Sequence, residues 1–441
     1  MSDTQSDITS DTSSTSPTFT SSTSRRAFLT ATAAAAVPFF IKGDSKTDSK
    51  NKILGEGEHQ YECIHDWGQL PSNIKYGNTH SVAEDSQGHI YVHHTVHKDS
   101  PSSDSVVVYD DKGKFVRSFG PMFRGGAHGM HLVKEGKTEY IYFCDEKHGI
   151  VTKRTLKGEE VWTMGYPQDS PIYQKGPGST GPGGAAGLNY RPTNFAMAPN
   201  MDFWVGDGYG SYYMFHYSQS GNSFPKLVRT FGGPPAGQAQ GGGRGPGGGG
   251  GRGPGGGGRG AGKGGDGAAA RGGAPGQGGR GAGGGRGPAA PPPPGQAGVP
   301  RDVPIESMNN PHGNMVDLRD PSNPILLVAD RGNNRIVRYT LEDKPIDVVA
   351  GTKSPCHFHT LKDTIVIPDL QARVTLLDKN NKIILHLGEP LVANPPRTTE
   401  NRADFIPGQF VQPHGAIFDH TGNIFVAEWV EIGRVTKLRK V

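Results

Sequence analysis

Apolar residues along this chain fall in short runs separated by polar turns, with no helical stripe of any length. The clearest unit reads Gln412-Pro413-His414-Gly415-Ala416-Ile417-Phe418-Asp419, then Thr421-Gly422-Asn423, then Ile424-Phe425-Val426-Ala427-Glu428. Its order is a short apolar strand, an Asp/Asn/Gly turn, and a β-rich strand ending in an acidic residue. The same order recurs at 311–317 with 326–331, at 191–197 with 203–207, at 127–130 with 142–145, and at 79–82 with 90–92; the shortest copy spans 356–369. Strand-length runs bounded by turn residues predict an all-β chain. Repeating units of roughly 35–50 residues with several strands each predict propeller blades. Six copies between about Tyr76 and Val441 predict a six-bladed β-propeller.

Length changes this picture little. A chain of 441 residues suggests two or three domains, but most of its 67 glycines and 35 prolines crowd into one tract. That tract, 232–303, reads as a flexible, disordered insert that cannot form a core. It joins the outer strand of blade three to the first strand of blade four. Both its ends are therefore expected on one face of the ring, where it would act as a tether or loose lid.

The N-terminus divides into a polar, disordered segment 1–24 and a segment 25–43. The latter opens on Arg25-Arg26 and continues into an Ala-rich apolar run. A twin-arginine pair before a short apolar run reads as a Tat-type export signal. The run is too short to span a bilayer comfortably, so the mature protein is expected in the periplasm or outside the cell, without a membrane span. A linker is expected over 44–60 and the propeller over 61–441. A formal charge of +4 implies neither a nucleic-acid nor a membrane partner. Three cysteines without CxxC spacing read as small buried residues.

The repeats act as a coordinate system for chemistry. His128, His312 and His414 hold the same place in the second, fourth and sixth copies, at the start of the innermost strand. Alternate blades of a six-fold ring are related by about 120°, so three equivalent imidazoles should converge on the axis. That arrangement suits a three-histidine metal site, with zinc or another divalent transition metal as its ion. His80, His357 and His359 could face the same channel. Antiparallel pairing puts the end of each second strand beside the start of the first, which brings Tyr209 and Arg331 to the same mouth. A tyrosine there can serve as a base and an arginine as an anion clamp. Asp207 and Asp330 are expected to bond turn amides.

These stretches resemble the NHL-repeat propellers, and within them the peptidyl-α-hydroxyglycine α-amidating lyases. The resemblance is carried by Ala127-His128-Gly129-Met130, Arg191-Pro192-Thr193, Asp207-Gly208-Tyr209-Gly210, Pro311-His312-Gly313, Ala329-Asp330-Arg331 and Pro413-His414-Gly415. It implies zinc on His128, His312 and His414, a catalytic base at Tyr209, and Arg331 lining the site. It also implies cleavage of an α-hydroxyglycine carbinolamide to an amide and glyoxylate, from a small-molecule or peptide substrate. Two positions depart from the family. Thr95 stands where the family has an arginine, and Gly415 where it has an aspartate that helps hold a structural calcium. A structural calcium is accordingly not expected here. The alternative is a non-catalytic NHL propeller that binds a protein or glycan partner on its open face.

Overall fold

The structure is a computed structural model that describes residues 51–173, 190–235, 303–390 and 392–441. The polar segment 1–24, the segment 25–43 read as an export signal, and nearly all of the glycine-rich insert lie outside the described residues. What is described is all-β: six antiparallel sheets, with helix confined to four three-residue 3₁₀ turns. Among the described residues no helix is long and apolar enough to cross a membrane.

Five sheets have four strands in simple up-and-down order, one sheet for each of the first five repeats. The innermost strands are Thr79–Glu84, Ala127–Glu135, Asn194–Met197, Pro311–Asp317, His359–Leu361 and Pro413–Phe418. The sixth sheet has five strands. Its own chain supplies Pro413–Phe418, Ile424–Glu428 and Arg434–Lys440, and the outer two come from the start of the described chain, Tyr61–Ile64 and Lys52–Leu54. Tyr61 pairs with Lys440 and Cys63 with Leu438. The stretch expected as linker, 44–60, thus contributes the outermost strand, Lys52–Leu54, because the last repeat has only three strands of its own to cover its apolar face.

The second strands lie between neighbouring blades, so both of their faces are buried. Ile325–Asp330 is buried along its whole length, and its side chains divide by the period of two that a strand imposes. Leu326 and Val328 pack toward blade three with Trp204 and Met214, whereas Ile325, Leu327 and Ala329 pack toward blade five with Ile365 and Ile367. This is why the second strands read as continuous apolar runs rather than alternating ones. Four further clusters fill the remaining interfaces. One of them joins Phe425 and Ala427 of blade six to Val92 and Val107 of blade one, which closes the ring.

The acidic residues ending the second strands hold the loops of one face. Asp330 accepts from Asn309 N and from Asn333 and Arg335 side chains, and Asp207 accepts from the amides of Arg191 and Ser211. Arg335 also fixes the return of the insert. It donates to the carbonyls of Val303, Pro304 and Ser307 at 3.0, 2.9 and 2.7 Å. Met308 N donates to Gly233 O at 2.7 Å, so the flanks of the insert are already joined. Cutting segment 236–302 to about ten residues should therefore leave the circular dichroism spectrum unchanged. It should raise stability by about 1.5 kcal/mol through the shorter loop closure; loss of the folded spectrum would contradict this reading.

Candidate metal centre

In five blades a residue at or shortly before the start of the inner strand is bridged to the end of the second strand: Ala127 to Asp145, Pro311 to Asp330, Pro355 to Asp369, Pro413 to Glu428, Thr79 to His94. The following residue then stands at one level around the axis. These residues are His80, His128, His312, Cys356 and His414 on blades one, two, four, five and six, with Thr193 in the corresponding place on blade three. All six are buried. The imidazoles of His128, His312 and His414 form a near-equilateral triangle with ring centroids 4.7, 4.7 and 4.8 Å apart. His80 lies against two of them, 5.0 Å from His128 and 4.5 Å from His414.

The His-Gly step explains how the triangle is held. At Gly129 a Cβ would come within 2.6 Å of Thr193 O, and at Gly313 within 2.6 Å of Cys356 O; at Gly415 it would come closer still to His80 O. Only glycine lets the neighbouring blade's backbone approach so near. The histidine before each glycine uses the same carbonyl. His128 Nδ1 reaches Thr193 O at 2.5 Å, His312 Nδ1 reaches Cys356 O at 2.8 Å, and His414 Nδ1 reaches His80 O at 3.1 Å. A carbonyl oxygen can only accept, so each Nδ1 carries the proton and each Nε2 keeps its lone pair. Backbone-oriented Nδ1–H with a free Nε2 is the usual state of a metal-ligating histidine. Burial holds the pKa of all three well below the ordinary value, with the neighbouring histidines and Arg331 adding to it, so they are neutral at physiological pH. His414 Nε2 is buried without a hydrogen-bond partner.

Tyr209 and Arg331 complete this face. Gly208 seats the Tyr209 loop against Pro311 O, where a side chain would clash. The Tyr209 hydroxyl stands 3.1 Å from His312 Nε2 and 3.4 Å from His128 Nε2. Arg331 donates to that hydroxyl at 3.1 Å, and its guanidinium sits 5.1 Å from the centre of the tyrosine ring. Burial pushes the Tyr209 phenol up, and the Arg331 cation pulls it back. The five residues singled out in the sequence thus lie together.

Four other side chains join them. Arg191 sits 5.1 Å from the Tyr209 ring centre and pairs with Glu146. Cys356 lies 3.8 Å from Arg331 Nη1. It therefore differs from Cys63 and Cys144, which pack in apolar clusters as expected of small buried residues. His80 belongs to one group whose ligand atoms, with those of His128 and His414, all lie within 4.8 Å. Arg397, on the long connection between blades five and six, stacks 4.0 Å from the Trp429 ring centre, bonds Asn78 Oδ1 at 3.3 Å, and helps to lower the pKa of His80. It brings a cation to the quarter where Thr95 stands. Thr95 itself ties loops together, its hydroxyl accepting from Asn78 N at 2.9 Å. An aspartate at Gly415 is excluded by the His80 carbonyl. His357 and His359 are engaged deeper on the same blade, His357 donating to Ala416 O and His359 accepting from Phe418 N, each at 3.1 Å.

No family model and no curated protein matches the chain. Solved structures with similar architecture include a streptogramin B lyase, 11% identical over 87% of this chain and 99% of that one, TM-score 0.44. A gluconolactonase from Xanthomonas campestris is 9% identical over 91% and 97%, TM-score 0.46. A gluconolactonase-family protein is 12% identical over 85% and 94%, TM-score 0.42. At that level of likeness they bear on no residue of the site.

Proposed function

We propose that this propeller is a metal-dependent lyase-like enzyme that binds zinc through His128, His312 and His414 and cleaves α-hydroxyglycine-type carbinolamides to an amide and glyoxylate. The observation that carries the reading is the set of three imidazoles whose Nδ1 protons are all held by neighbouring-blade carbonyls, leaving three unprotonated Nε2 atoms, two of them beside one tyrosine hydroxyl. When bound, the metal supplies Lewis-acid polarisation of a substrate oxygen. Tyr209 is placed to take the carbinol proton. Deprotonating it depends on the adjacent Arg331 cation, because burial alone opposes the phenolate. As the C–N bond breaks, the carbinol carbon becomes the aldehyde of glyoxylate and the leaving nitrogen takes up a proton, so no water is consumed. The Arg331 cation suits the carboxylate of such a substrate, whereas Arg191 and Arg397 are met by Glu146 and Glu431.

The test begins with metal analysis of the purified full-length protein, with one zinc per chain expected. His312→Ala should lose that zinc and the zinc-dependent rise in melting temperature, and Tyr209→Phe should keep the zinc but lose glyoxylate release from an N-acyl-α-hydroxyglycine. Zinc retained by His312→Ala would overturn the centre. Zinc bound without glyoxylate release by the wild type would overturn the reaction, leaving a binding propeller.

A further inference from the structure

We infer that Cys356 is a fourth protein ligand of this centre, binding the metal through a thiolate, so that a substrate oxygen would have to enter as a fifth ligand; the inference rests on the three-histidine reading. Cys356 follows Pro355, whose bridge to Asp369 matches the bridges of Pro311 and Pro413 before His312 and His414. It therefore occupies on blade five the place that histidine occupies on blades four and six. Its carbonyl already orients His312 at 2.8 Å. Its Sγ forms, with His312 and His414, a group whose ligand atoms all lie within 4.8 Å of one another. Neighbouring ligands on one tetrahedral zinc stand roughly 3.5 Å apart, so side-chain shifts of about an ångström would bring the set into bonding range. His414 Nε2, a ligand atom of this group, is buried without a partner.

The surroundings favour sulfur over the other fourth donor, His80. Sγ is fully buried, donates weakly to Ser354 O at 3.4 Å, and accepts from Arg331 Nη1 at 3.8 Å. Burial pushes the Cys356 thiol up to about 11, and the Arg331 guanidinium beside the sulfur counters that while giving a neutral imidazole nothing. On ligation the S–H bond breaks, an S–metal bond forms, and the proton leaves to solvent. A thiolate in the set selects zinc, cobalt or copper over magnesium, calcium or manganese. The Arg331 cation would then serve both Tyr209 and the sulfur.

Cobalt(II) added to metal-free full-length protein tests this without reference to activity. One equivalent should give the visible bands of a tetrahedral site together with a near-ultraviolet sulfur-to-cobalt charge-transfer band. Cys356→Ser should lose the charge-transfer band and keep the visible bands. Cobalt bound by the wild type without that band would overturn the inference while leaving the three-histidine centre in place. A band that survives in Cys356→Ser would assign the sulfur elsewhere and also overturn it. Failure to bind cobalt at all would overturn both readings.

Discussion

Metal-free protein titrated downward from pH 7 should lose its native tryptophan fluorescence and β-sheet circular dichroism cooperatively between about pH 6 and 4.5. The cause is the number of buried histidines that the fold keeps neutral. Burial lowers His65, His93 and His94 to about 3, and His131, His359 and His386 to about 4. In the unfolded chain each takes up a proton as pH falls through about 6.5. Between that value and the folded one, the unfolded state binds more protons, so stability falls with pH. Each such group costs about 1.4 kcal/mol per pH unit, and six together cost about 8 kcal/mol per unit. Against a total stability on the order of 5–15 kcal/mol, the fold should fail within about two units below 6.5. Saturating zinc should move the midpoint to lower pH, because it binds the folded form. A native spectrum at pH 3.5 without metal would show that these histidines are not held neutral.

Gly415→Ala should cost both stability and zinc. The new Cβ would meet His80 O and the Ser81 Cα, both of them backbone atoms that no side-chain rotation can move. Forcing the two blades apart there should destabilise the protein by about 1–3 kcal/mol. It should also lengthen the His414 Nδ1 contact with the same carbonyl, 3.1 Å in the native ring, so zinc affinity falls together with melting temperature. Gly313→Ala should behave alike through Cys356 O. Gly165→Ala is the control, since nothing lies within 4 Å of a Cβ there and its melting temperature should not fall. Equal melting and zinc titration curves for Gly415→Ala and the wild type would mean that the His-Gly step is not the device that sets the triangle.

What could be read from the chain was whatever the repeats encode. His128, His312 and His414 were legible because each follows Ala or Pro and precedes Gly in copies whose phase is marked by the acidic strand end. Tyr209 and Arg331 followed from antiparallel pairing alone. Cys356 has the proline before it but no glycine after it, so the sequence carries only half of the signal that marks its place. Arg397 was not legible because it lies on a long connection between blades, whose path is set by contacts with Trp429 and Asn78 rather than by strand period. The strand Lys52–Leu54 escaped for a related reason. Its outer position depends on Tyr61–Ile64 pairing with the last strand of the chain, and a short run such as Lys-Ile-Leu carries no mark of that distant partner.

That pairing has a consequence for how the molecule comes into being. Tyr61 and Lys440 stand together although nearly the whole chain separates them, and the mouth bearing His414 belongs to the sheet they complete. Loop-closure entropy makes such a contact slow to form, and it cannot form at all until residue 440 has been synthesised. A ring fastened in this way checks its own completeness. A product that ends early, or is clipped before Arg434–Lys440, has neither a closed barrel of blades nor a third imidazole in register. A chain that keeps both Tyr61–Ile64 and Arg434–Lys440 is what closing the last sheet requires.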